Sequence, residues 1–195
     1  MRQIKLAIIT MLFTISVSVW AGPEPNQIIW IKNEYKLIRD DLKKYESIRF
    51  EVSQESAEGS EGLAYTDANG DIRLIEVSHF GETGKSHTEY YYFKGKPFFV
   101  LEESYRYNSH IMITEAHAKD LREDGVVGME AFDENKTVKN EYRYYFNNGK
   151  VLMVLGDKGK DITRRHEYSY VLDDCVRYYN IAKKNISDRI KGTGK

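Results

Sequence analysis

The sequence predicts an α+β domain: an antiparallel β-sheet built as a meander of repeated hairpins, with an N-terminal and a C-terminal helix packed on one face. Three observations carry this. A helical apolar stripe precedes residue 46, period-two alternation cut by glycine-bearing turns fills the middle, and a second helical stripe follows Asp173.

Residues 1–21 stand apart from that domain. Arg2 and Lys5 give a short positive start, and an uncharged apolar run from Leu6 to Trp20 ends at Val19-Trp20-Ala21. This is the layout of a secretory signal peptide cleaved after Ala21, which leaves 22–195 as a single α+β domain. The run is about 15 residues, short of the ~20 that a spanning helix needs, and no later stretch is long enough either. Gly22 rather than cysteine follows the cut, which speaks against a lipid anchor. The expected product is a periplasmic or secreted protein without stable membrane insertion.

Composition narrows the classes further. The 29 Lys+Arg nearly balance the 30 Asp+Glu, whereas a dedicated nucleic-acid binder shows a basic excess. A single cysteine excludes an internal disulfide and any Cys-rich zinc site. That residue, Cys175, reads as a small core residue on a helix, with no histidine close in sequence to activate it.

Element by element, residues 26–46 read as a helix. Ile28, Ile31, Tyr35, Ile38, Leu42 and Tyr45 recur at spacings of three and four, and Asn26 caps the first turn behind Pro23 and Pro25. Ile48, Phe50 and Val52 then alternate with polar residues as a strand. A polar loop, Glu55 to Gly62, breaks it. Leu63–Thr66 and Ile72–Phe80 are strands around the tight turn Asp67-Ala68-Asn69-Gly70. After Gly81–Gly84, Thr88–Phe93 and Pro97–Glu103 form a hairpin around Lys94-Gly95-Lys96. Segment 108–137 is the least legible, with a short helix over Thr114–Asp124 or a surface excursion both open. A second hairpin follows, Arg164–Leu172 alternates as a strand, and a terminal helix opens at Asp173 with Leu172, Cys175, Val176, Tyr179, Ala182, Ile186 and Ile190 on one face. The total is roughly seven to nine strands.

No catalytic or metal pattern has the right spacing. There is no Gly-x-Ser-x-Gly elbow, no glycine-rich phosphate loop before a helix and no His-Glu-x-x-His. His79 and His87 flank a turn and could face each other across strands, but lack a nearby third ligand; His110 and His117 bracket Glu115 in the unclear segment. Asp67–Asp71 begins like a calcium loop, yet its glycine comes too early and Ser78 stands where the bidentate glutamate belongs, so turn chemistry explains it. No cofactor and no metal site is expected.

Tyrosine is the compositional signal, at 15 residues. Alternation sends Tyr91 and Phe93 to one side of their strand and Tyr90 and Tyr92 to the other; likewise Tyr142, Tyr144 and Phe146 separate from Arg143 and Tyr145. One aromatic face must be core. The other, with Tyr90, Tyr92, Arg143 and Tyr145, is expected to be an amphipathic ligand-binding face, since tyrosine offers a flat apolar body and a polar tip. The bland reading is that helices cover these rings or that they are cross-strand pairs.

The two hairpins echo each other. Tyr91-Tyr92-Phe93-Lys94-Gly95-Lys96 matches Tyr144-Tyr145-Phe146-Asn147-Asn148-Gly149-Lys150, the second copy carrying one extra residue at the turn. Together with Ser56-Ala57-Glu58-Gly59, Gly81-Glu82-Thr83-Gly84-Lys85, Phe99-Val100 and Tyr105-Arg106-Tyr107-Asn108, these pieces resemble a family of uncharacterised bacterial secreted proteins with Tyr-rich hairpins. The resemblance covers about half of the chain after Ala21. It implies export and a β-rich body and transfers no activity, cofactor or catalytic residue. Pro97 departs from the pattern, where such hairpins often place an aliphatic residue, and suggests that its strand starts at a sheet edge.

The function expected from these features is a non-enzymatic periplasmic binding module for a protein or an envelope glycan, an inhibitor-like role included. The alternatives are a structural scaffold without a small ligand and a glycan or cell-wall hydrolase. The last needs two carboxylates about 5–9.5 Å apart in a cleft, with Glu58, Glu61, Glu102 and Glu103 as its candidates.

Overall fold

The computed structural model describes residues 25–52, 58–164 and 167–192; the expected signal peptide and part of the polar loop, including Glu55, lie outside the described residues. Helix α1 (Pro25–Asp41) is followed by strands β1 (Glu46–Glu51), β2 (Ser60–Thr66), β3 (Ile72–Gly81), β4 (Gly84–Phe93) and β5 (Lys96–Arg106). Helix α2 (Glu115–Glu123), β6 (Val138–Asn147), β7 (Lys150–Leu155) and helix α3 (Ser169–Gly192) complete the chain. The seven strands form one sheet in sequence order, every neighbour antiparallel, with both terminal helices packed on it. The α+β meander is therefore as expected.

One detail differs: the helices lie on opposite faces. Helix α1 packs Ile31 and Ile38 on Leu74, Tyr91, Phe99 and Tyr145. Helix α3 packs Val171, Cys175, Tyr178 and Ala182 on Ile75, Tyr90, Tyr92, Tyr144 and Phe146. The strand sequences explain why. Leu74-Ile75, Tyr90-Tyr91-Tyr92, Phe98-Phe99-Val100 and Tyr144-Tyr145-Phe146 are continuous apolar runs, and strands buried on both sides read that way, whereas a half-solvated sheet alternates. Each fully buried aliphatic or phenyl side chain, such as Ile38 or Phe146, contributes about 1.5–3 kcal/mol through its removal from water.

The hairpin tips set which residue faces which helix. Lys94 and Gly95 have φ of 50° and 73°, and Asn148 and Gly149 have 49° and 74°, so both hairpins close on the same two-residue turn with left-handed central residues. The extra residue of the second copy, Asn147, thus belongs to strand β6 rather than to the turn. Counted back from the tip, Tyr92 corresponds to Phe146, Tyr91 to Tyr145 and Tyr90 to Tyr144. The ladder agrees: Tyr91 pairs with Phe99 and Phe99 with Tyr145, while Tyr90 pairs with Val100 and Val100 with Tyr144. The sequence echo is one residue out of phase with the structure.

Other elements follow local chemistry. The α1 stripe is used as expected, but the helix ends at Asp41, and Leu42–Lys44 tightens into a 3-10 turn. Gly62 sits beneath Phe50, its cross-strand partner; a Cβ there would come within 2.3 Å of the ring, so this glycine is what lets the ring lie across β2. Pro97 stands not at a sheet edge but near the start of the interior strand β5, beside a register shift. The expected strand over Arg164–Leu172 is absent among its described residues; α3 instead starts at Ser169, and its buried stripe is Val171, Cys175, Tyr178 and Ala182, leaving Val176 and Ile190 exposed.

Segment 107–137 is tied to the β3–β4 turn. Tyr107 and Ile111 donate backbone N–H groups to the carbonyls of Thr83 and Glu82, both at 2.9 Å. Asn108 braces the far side by donating to the Ala131 carbonyl and accepting from the Asp133 N–H. Within it, α2 is capped by Thr114, whose Oγ1 accepts from the His117 N–H, and gives way at Gly125 with φ 88°.

Candidate functional site

Over β4 and β5 the α3 face is covered by its helix, and an open hollow remains toward β1 and β2, beside Phe50 and Asn185. Tyr90 and Tyr92 are 4% and 1% exposed beneath the helix, and the Tyr92 hydroxyl donates to the Cys175 carbonyl at 2.8 Å. Burial pushes the Cys175 thiol well up from its ordinary range, which makes it the inert core residue the sequence suggests. Tyr144, also on this side, shares Glu102 with Tyr170: the two hydroxyls donate to the carboxylate at 2.9 and 3.2 Å.

The expected binding face of Tyr90, Tyr92, Arg143 and Tyr145 is therefore not assembled. Tyr90 and Tyr92 belong to the α3 side, and Arg143 and Tyr145 to the α1 side, because β6 is one residue out of phase with the motif match. Arg143 and Tyr145 do remain together, and they line an open groove.

That groove exists because α1 covers the sheet only in part. Beside the helix lies a hollow of about 340 Å³ walled by Ile31, Lys32, Tyr35, Phe99, Leu101, Glu141, Arg143 and Tyr145. It adjoins a second hollow, of about 400 Å³, that shares Ile31 and reaches the two hairpin tips. The floor there is aromatic: Trp30 meets Phe93 and Phe98 edge-on, with ring centroids 5.4 and 5.3 Å apart. Asn26, Gln27, Asn147, Asn148 and Lys96 supply polar groups around it. Tyr35 on the helix contacts Tyr91 and Phe99 edge-on and fixes the angle at which α1 sits. At the lip, Arg143 pairs with Glu141.

The far end of α1 carries an ionic cluster. Glu76 on β3 and Glu89 on β4 are direct cross-strand partners, and His87 lies two residues before Glu89, hence on the same side. Arg39, from the last turn of α1, reaches between the carboxylates, its Nη1 lying 3.1 Å from Glu89 Oε1 and 3.7 Å from Glu76 Oε1. The outer oxygens are held by phenols: Tyr65 donates to Glu76 Oε2 at 3.0 Å and Tyr91 to Glu89 Oε2. His87 Nε2 is 3.6 Å from Glu89 Oε1, and its Nδ1 is hydrogen-bonded to Ser78 Oγ at 3.0 Å.

Protonation follows from this geometry. Burial by itself raises the Glu89 carboxyl, but His87, Tyr91 and Arg39 together outweigh it and hold the group below the ordinary carboxylate range. The contact with Glu89 raises the His87 imidazole against the opposing effect of burial. Desolvation and the neighbouring Glu89 push the Tyr91 phenol far up. Glu76, His87 and Glu89 are the three residues, among those described, whose donor atoms gather closely enough to hold a metal ion, all within 4.8 Å of one another. Sequence reasoning missed this trio. Its one legible signal was His87-x-Glu89 on a strand; the third member, Glu76, enters only through the ladder register.

The other candidates fall apart. His79 and His87 point to opposite faces, since Ser78 rather than His79 pairs with His87; His79 is bonded to Ser60. His110 is paired with Glu82, while His117 stands on exposed α2. Asp67 accepts from the Asn69 and Asp71 N–H groups and from Arg73, as a turn residue does. Glu102 and Glu103, adjacent on β5, face opposite sides, and Glu61 is paired with Arg49 on outer strands, with Glu58 exposed in the loop before β2. Of these four carboxylates only Glu61 lines one of the described hollows, and none of the other three lines it as well. No protein-family model, curated protein or solved structure matches the chain.

Proposed function

We propose that the protein is an exported, non-enzymatic binding module that engages an envelope component or a protein partner through the groove beside α1. The observation that carries this reading is the groove itself. It joins an aromatic floor, Trp30, Phe93 and Phe98, to a polar and charged lip, Lys32, Glu141 and Arg143, beside a helix that leaves its face partly open. Apolar walls with a few convergent polar groups are what small ligands and partner side chains occupy. Export rests on the charged, then apolar, then small-residue layout of residues 1–21.

Site-specific photocrosslinking in the producing cell tests it. A benzophenone amino acid at Lys32, on the groove, is expected to give a discrete adduct that Arg143→Glu abolishes. The same probe at Lys183, exposed on α3, is expected to give none. Equal labelling from both positions, or no adduct from Lys32, overturns the reading.

A further inference from the structure

We propose that Glu76, His87 and Glu89 form a binding site for a divalent transition-metal ion of the zinc class, which takes the place of the Arg39 guanidinium between the two carboxylates. The inference does not depend on what the groove binds.

The donors converge. Both inner carboxylate oxygens, Glu76 Oε1 and Glu89 Oε1, face Arg39 Nη1, and His87 Nε2 approaches Glu89 Oε1 from the side. In a tetrahedral zinc site with bonds of about 2.0–2.2 Å, neighbouring ligand atoms lie roughly 3.3–3.6 Å apart. The 3.6 Å between His87 Nε2 and Glu89 Oε1 already falls at that spacing. Glu76 closes the remaining gap by side-chain rotation, since all three donors lie within 4.8 Å.

The surroundings orient these donors as the hydrogen-bond partners of metal ligands do. Ser78 holds the rear nitrogen of His87, while Tyr65 and Tyr91 hold the outer oxygens of the two carboxylates. The backbone frame is a cross-strand pair plus an i, i+2 neighbour in the middle of a seven-stranded sheet, so little ordering is left for the metal to impose.

The position already selects positive charge. Two carboxylates facing each other across adjacent strands repel unless a cation lies between them, and Arg39 supplies it. Its side chain is 39% exposed at the end of α1, so it can swing into water when an ion enters. One imidazole with two carboxylates suits zinc and its borderline neighbours, whereas calcium and magnesium prefer all-oxygen shells. Three protein ligands leave a fourth position for water or for a group on a bound partner.

Calorimetric titration of the tag-free, chelator-treated protein with zinc chloride tests the assignment. One ion per chain is expected, with His87→Ala and Glu89→Gln each weakening binding by about tenfold or more. Arg39→Met is expected to tighten it, an outcome that loss of folding cannot produce. His110→Ala, remote from the trio, is expected to change nothing. Circular dichroism separates a misfolded Glu89→Gln chain from a folded one that has lost its ligand. The proposal is overturned if wild type takes up no zinc to about 0.1 mM. It is equally overturned if binding survives His87→Ala in a folded chain, or if calcium binds as well as zinc.

Discussion

The two faces of the sheet use the same residue type for opposite ends. Under α3, tyrosines mostly seal: Tyr90, Tyr92 and Tyr178 are buried in the core, with Tyr92 bonded to the backbone of the helix above it, and phenols meet a carboxylate at Glu102, through Tyr144 and Tyr170. Under α1, tyrosines connect: Tyr65 and Tyr91 turn their hydroxyls to Glu76 and Glu89, so the apolar contact runs straight into an ionic cluster. The more fully covered face fixes the fold. A partly covered face costs some burial and leaves a groove and a charged end available.

Perturbing each face should separate these roles, and the largest effect belongs to the more fully covered one. Tyr92→Ala removes a fully buried ring and its hydrogen bond and is expected to cost about 3–5 kcal/mol in chemical denaturation. Ile38→Ala, on the buried stripe of α1, is expected to cost about 2–4 kcal/mol, as for a fully buried aliphatic side chain. A loss below about 1 kcal/mol at Ile38 would show that α1 is only loosely seated on the sheet. Tyr92→Phe keeps the ring and loses only the bond to the Cys175 carbonyl, for an expected cost of about 1 kcal/mol. Arg143→Ala, on the lip, is expected to shift stability by no more than about 0.5 kcal/mol while weakening partner capture; a large stability loss would make it a structural residue.

The smallest signal is spectroscopic. Burial, with the Glu102 charge, lifts the Tyr170 phenol to about 12, although its hydrogen bond with Tyr144 opposes the shift. A phenol whose pKa is higher folded than unfolded stabilises the fold fully below its free value near 10. That contribution is lost as pH rises through the folded value. Absorbance near 295 nm should therefore show a late-titrating component that Tyr170→Phe diminishes, since Tyr65, Tyr91 and Tyr144 are raised as well.

These faces were only half legible in the sequence. Turns were readable because Lys94-Gly95 and Asn148-Gly149 require left-handed backbone, and the α1 stripe was readable because six apolar residues keep helical spacing. The runs Tyr90-Tyr91-Tyr92 and Tyr144-Tyr145-Phe146 also announced burial on both sides, but matching the hairpins by motif hid it. Whether Asn147 belongs to turn or strand decides the phase of all of β6, and a single residue inverts every side chain. The ionic cluster was illegible for the same reason: Glu76 and Glu89 are far apart in the chain, and only the β3–β4 register makes them neighbours. Helix α3 was misplaced at its start because Tyr168, Tyr170 and Leu172 alternate like a strand, although Tyr170 and Leu172 lie in its first turns.

Strand order has a consequence for synthesis. Each strand pairs with the one made just before it, so the sheet zips up hairpin by hairpin with short loop closures, a route that favours fast folding. Helix α1 is the exception. It leaves the ribosome ahead of every strand, yet the surface that receives Ile31 and Tyr35 includes Tyr145 on β6, and is complete only once that strand has emerged. Until then this early helix waits with its oily side uncovered, and a nascent chain stalled before Val138 is left with a helix that has no finished place to dock.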